Sequence, residues 1–399
     1  MTPKGYRLPA VAVAGLLAAG CQMPLNPLFG PGSLPPGKPG PTFDVDSLLP
    51  ARVIHGDNYV IERPVQVLDD RFVFRIRTRY GVILAHGMDM LDLRLREMYS
   101  IRLAESIRND AHLQTGIAEG LRKTGQGLGQ LLTDPGGTLL RAPEGVREMV
   151  TEKLDPADSR AGSLARRKLA AQVRCDPETN NPVLKWLLDE MSLKQDVGDF
   201  ATGTALGLVV PVPGVGLLST TADMEQMLAT TPPHAVNQTI GERLEQMGLD
   251  PALCRRFCTD GNYTTLERLI FLQYFQPLRG IAGLPVVLES MVNVRTEAEA
   301  LGRIHEVRIW AQLNNHRPIR QFVKAPSSAA VLKDGALAIV STADYLTDAQ
   351  DVVRTAAQYR IARRDATVIL YTTARLSAQA QTALRAAGIE LGGADASLH

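Results

Sequence analysis

The chain has 399 residues, 45% hydrophobic and 21% charged, with 43 basic against 42 acidic side chains and a formal net charge of +1. An apolar share of that size excludes a disordered chain, and the length divides naturally into two or three domains with sizeable cores. Near-neutrality removes the overall basic field that nucleic-acid binding needs, so no nucleic-acid partner is expected.

Residues 1–7 carry Lys4 and Arg7, and an uncharged run of thirteen residues from Leu8 to Gly20 leads directly into Cys21. Such a run in a helix rises only about 20 Å, short of a hydrocarbon core of about 30 Å, so it reads as a cleaved export signal rather than a permanent span. Ala18, Ala19 and Gly20 are small enough for an extended backbone to enter a peptidase cleft, and the Cys21 thiol is a nucleophile able to accept a diacylglyceryl group. This arrangement resembles the lipobox of bacterial lipoproteins, over residues 1–21 alone, with Ala18 where that class most often has Leu. The resemblance implies removal of residues 1–20, lipidation of Cys21 and about three acyl chains in the leaflet, where two suffice for stable anchoring. Gln22 rather than Asp after the Cys implies, by the same resemblance, the periplasmic face of the outer membrane. Loss of Lys4 and Arg7 takes the formal charge from +1 to −1.

Residues 22–50 hold eight prolines and four glycines, a composition that opposes helix and sheet alike and predicts an extended, mobile linker. Period-two patterning then predicts an antiparallel meander over residues 58–61, 65–68, 72–78 and 82–85. In the third strand Phe72, Phe74 and Ile76 share one face, and Arg71, Val73, Arg75, Arg77 and Arg79 the other. Arg71, Arg75, Arg77 and Arg79 are candidates for contact with acidic headgroups, lipopolysaccharide or a carboxylate-rich glycan, since guanidinium forks bind phosphate and carboxylate bidentately; a solvated outer face is the plainer account of them. Leu91, Leu95, Met98 and Leu103, with an Asp92–Arg96 pair at i, i+4, predict a helix over residues 88–123 that covers the meander.

Recurrent glycine over residues 116–145 and the turn Asp134-Pro135-Gly136-Gly137 mark a boundary. Asn181 followed by Pro182 predicts a helix start, with the helix running to about 194. Residues 200–222 carry no charge and contain Gly203, Gly207, Gly214, Gly216 and the turn Pro211-Val212-Pro213-Gly214. Twenty-three residues nominally suffice to cross a bilayer, but these breakers favour a buried hairpin, with membrane or partner insertion as the alternative. Short helices follow at 235–247, 251–258, 265–276 and 297–313, with capping boxes at Thr264/Glu267 and Thr296/Glu299.

Residues 336–392 change pattern to strand 336–341, helix 348–363, strand 366–371, helix 378–387 and a last strand near 389–391, with a capping box at Thr347/Gln350 and a Ser377 cap. The carboxyl ends of these strands present Ser341, Thr342, Asp344, Thr372, Thr373 and Arg375, a crevice suited to a small polar or anionic ligand. No phosphate-cradling glycine motif follows either strand, so no nucleotide and no other cofactor is expected.

Cys175, Cys254 and Cys258 are an odd set; a disulfide from Cys175 to one of the others would leave one thiol free. The histidines (His55, His86, His112, His234, His305, His316, His399) are scattered singly, and no metal site is expected. Asp189 with Glu190 and Glu297 with Glu299 read as solvated helix surface, and no catalytic residue is assigned.

The whole predicts an α+β protein: signal 1–20, lipidated Cys and linker 21–50, meander plus long helix 51–150, helical body with glycine-rich hairpin 151–325, and a small α/β module 326–399. The expected role is binding or scaffolding in the cell envelope, tethered to the membrane through acyl chains, with an envelope protein or glycan as partner. The alternatives are an envelope hydrolase or ligand-processing enzyme, which a deep polar pocket of interacting titratable groups would favour, and a membrane-active protein using residues 200–222.

Overall fold

Eight residues, Arg71–Thr78, form the strand β5 around which the N-terminal sheet of the computed structural model is organised; the structure describes residues 37–109, 164–195 and 222–392. Cys21, the turn at Asp134 and residues 200–221 lie outside the described residues. The protein is α+β. The strands β3 (Tyr59–Ile61) and β4 (Val65–Leu68) share one edge of β5 end to end, Ile61 opposite Ile76 and Gln66 opposite Val73, while β6 (Gly81–His86) takes the other edge. The sheet is antiparallel but not a simple meander, because β3 pairs with β5 and not with β4. Short strands β1 (Pro39–Phe43) and β2 (His55–Gly56) complete it.

The linker expectation therefore gives way from Pro39 onward. An outermost strand tolerates prolines because their missing N–H groups face no partner, and Phe43 packs its ring 5.6 Å from Phe72 and 5.3 Å from Tyr345. Val45, in a 3-10 turn, is fully buried. These apolar anchors are hidden by a proline and glycine count.

Helix α2 (Met88–Asn109) packs on the sheet, burying Leu91, Leu95, Met98 and Ile101. The helical body comprises α3 (Leu164–Val173), α4 (Pro182–Gln195), α5 (Ala222–Thr230), α6 (Pro233–Gln246), α7 (Pro251–Thr259), α8 (Thr265–Phe275), α9 (Leu284–Met291) and α10 (Glu297–His316), after a short α1 at Ala51–Ile54. Asn181 caps α4, its Oδ1 accepting from Val183 N at 3.1 Å. Thr264 and Glu267 form both halves of a capping box. Thr296 makes only the hydroxyl half; Glu299 accepts from Arg295 N instead, at 2.7 Å.

The C-terminal sheet runs in the order β13 (Ile389–Gly392), β11 (Val368–Thr372), β9 (Leu337–Ser341), β8 (Ser328–Leu332) and β7 (Ile319–Val323), and two short strands, β10 (Tyr345–Leu346) and β12 (Arg375–Leu376), form a separate parallel pair. In the sheet β9, β11 and β13 are parallel, joined through α11 (Gln350–Ala362) and α12 (Ala378–Ala386), as the sequence pattern predicts. The antiparallel strands β7 and β8 extend it, so the sheet begins before residue 326. Ala330, Leu332, Ala338, Val340 and Ile369 join a core shared with the helical body and the N-terminal sheet. Val331, Leu337, Ile339, Val368 and Leu370 belong to a second cluster with residues of α11 and α12. Burial on both faces produces nearly continuous apolar strands.

A reciprocal clamp joins the two sheets. Asp69 and Asp70 turn the chain from β4 to β5 with φ of 47° and 60°, the paired positive values of a tight hairpin turn. The Asp70 carbonyl accepts from Asp344 N at 3.0 Å and Tyr345 N at 3.1 Å; its carboxylate accepts from the Thr347 main chain and hydroxyl. In return the Asp344 carboxylate accepts from Phe72 N at 2.9 Å and Met88 N at 3.1 Å. Thr347 is thus committed to Asp70 rather than to a capping box with Gln350, and the N-cap of α11 is Ala349, which has no side-chain cap.

Candidate ligand groove and interior carboxylate cluster

A groove of about 510 Å³ opens at the carboxyl end of β9, within the range of small-molecule sites. Ser341 and Thr342 form one wall, the first turn of α11 with Gln350 and Asp351 another, and Arg303 and Glu306 of α10 a third; Arg71 of β5 enters beside Gly302. A Cβ at Gly302 would lie 2.3 Å from Arg71 Nη2, so the glycine lets the guanidinium lie against α10, and a side chain there would push it aside. Arg71 Nη1 is buried without a hydrogen-bond partner. Arg303 donates to Glu306 at 2.8 Å, and Glu306 also accepts from Ser328. Asp69, Asp70, Glu299, Glu306, Asp348 and Asp351 outnumber the two arginines in this lining. The excess of acceptors fits hydroxyl or amine groups better than phosphate.

The expected crevice is thus divided. Ser341 and Thr342 line the groove, whereas Asp344 faces the clamp, where desolvation pushes its carboxyl up to about 6 against the opposing pull of Arg71 and the Phe72 and Met88 amides. Thr372 Oγ1 accepts from Ala374 N at 3.1 Å, Thr373 is exposed, and the Arg375 guanidinium donates to the Ser47 carbonyl. The basic face of β5 is likewise divided. Arg75 and Arg77 both bind Glu62, whose carboxyl the Arg75 hydrogen bond holds below its ordinary range, and Arg79 pairs with Glu105. Among the four, Arg71 alone reaches the groove.

A second polar site lies inside the helical body. A cavity of about 120 Å³ is lined by Glu97, Asp176, Glu267 and Glu297, with Cys175, Thr179 and Thr264. Arg94, its side chain 6% exposed, bridges Glu97 at 2.7 Å and Glu297 at 2.6 Å. Glu97 also accepts from Thr179 and from Asn181 Nδ2 at 2.9 Å. Glu297 is therefore an interior residue, not the solvated helix surface that its place beside Glu299 suggests. Asp189 remains partly exposed and pairs with the buried Arg166. Desolvation dominates the chemistry of the cavity: it raises Asp176 to about 7, Glu267 well above the usual range and Glu297 upward against the attraction of Arg94. Burial pushes the Cys175 thiol up as well, making it a poor nucleophile. Cys175, Cys254 and Cys258 are all free, so the pairing of Cys175 with one of the others, left open by the sequence, is not formed.

Glu97 gives little warning of this role in the sequence. It belongs to the stretch Leu-Asp-Leu-Arg-Leu-Arg-Glu of α2, which looks like an exposed charged face. Because α2 packs against β6 as well as α3, α4 and α10, Asp92, Arg94 and Glu97 are all buried. Among the described residues no group of three or more His, Cys, Asp or Glu side chains is placed to hold a metal ion, and no helix is long and apolar enough to cross a membrane.

Comparisons of the chain with protein-family models, with curated proteins and with solved structures each find no match.

Proposed function

We propose that this is a lipid-anchored protein of the cell envelope, held at the periplasmic face of the outer membrane through Cys21, whose folded body acts by binding. The groove at the end of β9 carries this reading: it is large enough for a ligand, and its surplus of oxygen acceptors around Ser341, Thr342 and Arg303 suits a hydroxyl- and amine-bearing glycan. Calorimetric titration with oligomers of glucosamine and of N-acetylglucosamine tests it. Saturable binding that weakens about tenfold in Arg303→Ala supports the reading, since that change removes a donor from the wall and takes from Glu306 its cation, leaving it only the Ser328 hydroxyl. No binding of either oligomer defeats it.

The interior cavity favours a second reading, an envelope hydrolase. A carboxyl titrating near 7 at Asp176, beside a Glu267 whose carboxyl burial pushes well above its ordinary range, offers the separated acid and base roles that general acid–base catalysis uses. A cavity of about 120 Å³ holds only a few waters, so substrate would have to open it. Hydrolysis of envelope glycan with a pH–rate limb near 7 that vanishes in Asp176→Asn would select this reading; glycan binding without turnover would select the first.

A further inference from the structure

The arginines of β5 that the sequence offers to an acidic surface are largely matched within the chain, but a different basic surface is exposed. It lies where β9 and β11 begin, at the end of the C-terminal module away from the groove. The turn Lys333-Asp334-Gly335 between β8 and β9, with Arg317 behind it, faces Arg363, Arg364 and Asp365 across a concavity of about 600 Å³. Arg317 is engaged by Asp334 and by the Tyr371 hydroxyl at 3.0 Å, and Arg360 by the Ala387 and Gly388 carbonyls. Lys333, Arg363 and Arg364 are exposed. Arg363 rests over the Tyr359 ring at 5.8 Å, leaving its N–H groups available to a ligand. Beside them Ile361, in the last turn of α11, is 83% exposed, more than any other large apolar side chain among the described residues.

We propose that this end of the module is a second membrane contact, in which Ile361 enters the headgroup layer while Lys333, Arg363 and Arg364 bind the phosphates of anionic lipids. Charge complementarity selects the partner: guanidinium forks match phosphate, and an apolar side chain among cations suits an interface that is wet on one side and apolar on the other. The chain outside the structure permits the contact. Lys38 Nζ lies 3.5 Å from Asp348, just before α11, so the described chain starts at the opposite end of that helix. The 13 residues of α11 span about 20 Å, while the sixteen residues 21–36 extend to at most about 50 Å. The biological setting rests on the Cys21 anchor, but the surface can be tested without it.

The full chain carrying Cys21→Ser, which has no thiol to lipidate, is floated with vesicles of phosphatidylglycerol and phosphatidylethanolamine, and separately with vesicles of phosphatidylcholine. Binding is expected to the anionic vesicles only and to fall with added salt. Arg363→Glu with Arg364→Glu should weaken it about tenfold or more, while Arg77→Glu on β5 leaves it within about twofold. Ile361→Trp, which removes no internal contact, should tighten binding, so the test does not depend on a disruptive variant. Equal binding to both vesicles, no binding, or indifference to both the Arg363/Arg364 and Ile361 changes overturns the proposal. Failure of the anchor is read separately, as absence of lipid label on the unaltered chain.

Discussion

The groove at β9 and the cavity behind α2 use the same kinds of side chain, arginines, carboxylates and hydroxyls, yet water separates them. In the groove, Asp351 is exposed at the rim and Asp348 is half-buried beside Lys38. In the cavity, Glu97 and Glu267 are held away from water and Glu297 is largely covered, with Arg94 bridging Glu97 and Glu297. An open polar wall can exchange one ligand for another at little structural cost, whereas a closed one couples proton occupancy to folding.

The comparison breaks most sharply at Arg94. Replacing it by Leu leaves Glu97 and Glu297 buried without their cation, and urea unfolding should show a loss of about 3–5 kcal/mol; a loss below about 1 kcal/mol would mean that the cavity is wet.

Next in size is the dependence of Tm on pH. Asp92 and Asp344 are raised to about 6, Asp176 to about 7, and Glu267 and Glu297 upward, all chiefly by desolvation. Each binds its proton more tightly folded than unfolded, so its stabilisation is complete below the ordinary carboxylate range and is lost as pH rises through its folded value, about 6 for Asp92 and Asp344 and about 7 for Asp176. His86, lowered by burial, works in the opposite direction and is outweighed by these five. Tm should be higher at pH 5 than at pH 8, and Asp176→Asn should flatten that slope; a Tm that climbs with pH would refute the desolvated cluster.

Asp344→Asn tests the clamp between the sheets. The change keeps one oxygen for Phe72 N and Met88 N but replaces the other by a donor, at a cost of about 1–3 kcal/mol in urea unfolding. No change would show that the main-chain bonds to Asp70 suffice. The smallest effect is expected at Arg77, whose side chain is 69% exposed: Arg77→Ala should cost about 0.5 kcal/mol or less, because Arg75 still holds Glu62.

Local patterns were legible where one physical term dominates. Alternation in residues 72–78 gave β5 and its buried Phe72, Phe74 and Ile76; Asn181-Pro182 gave the start of α4; and the parallel β-α-β-α run gave β9, α11, β11 and α12. Two of the six crevice residues were legible too, since Ser341 and Thr342 follow directly from their place at a strand end. Features that depend on a distant partner were not. Phe43 and Val45 lie in a proline-rich stretch and fold only because the edge of β4 and the ring of Tyr345 receive them. Ser328 to Leu332 is built of small residues with no strong period, and its strand exists because β7 and β9 flank it.

The sequence by itself determined the resemblance of residues 1–21 to a lipobox, the α+β class and the amphipathic elements, because each rests on spacing within a few residues. Tertiary structure alone decided which charges are solvated. Arg75, Arg77 and Arg79 found Glu62 and Glu105, Arg94 and Glu297 were enclosed together, and Arg363 and Arg364 stayed exposed beside Ile361. The physical reason is that a charge's energy depends on desolvation and on partners as distant in sequence as the 203 positions between Arg94 and Glu297.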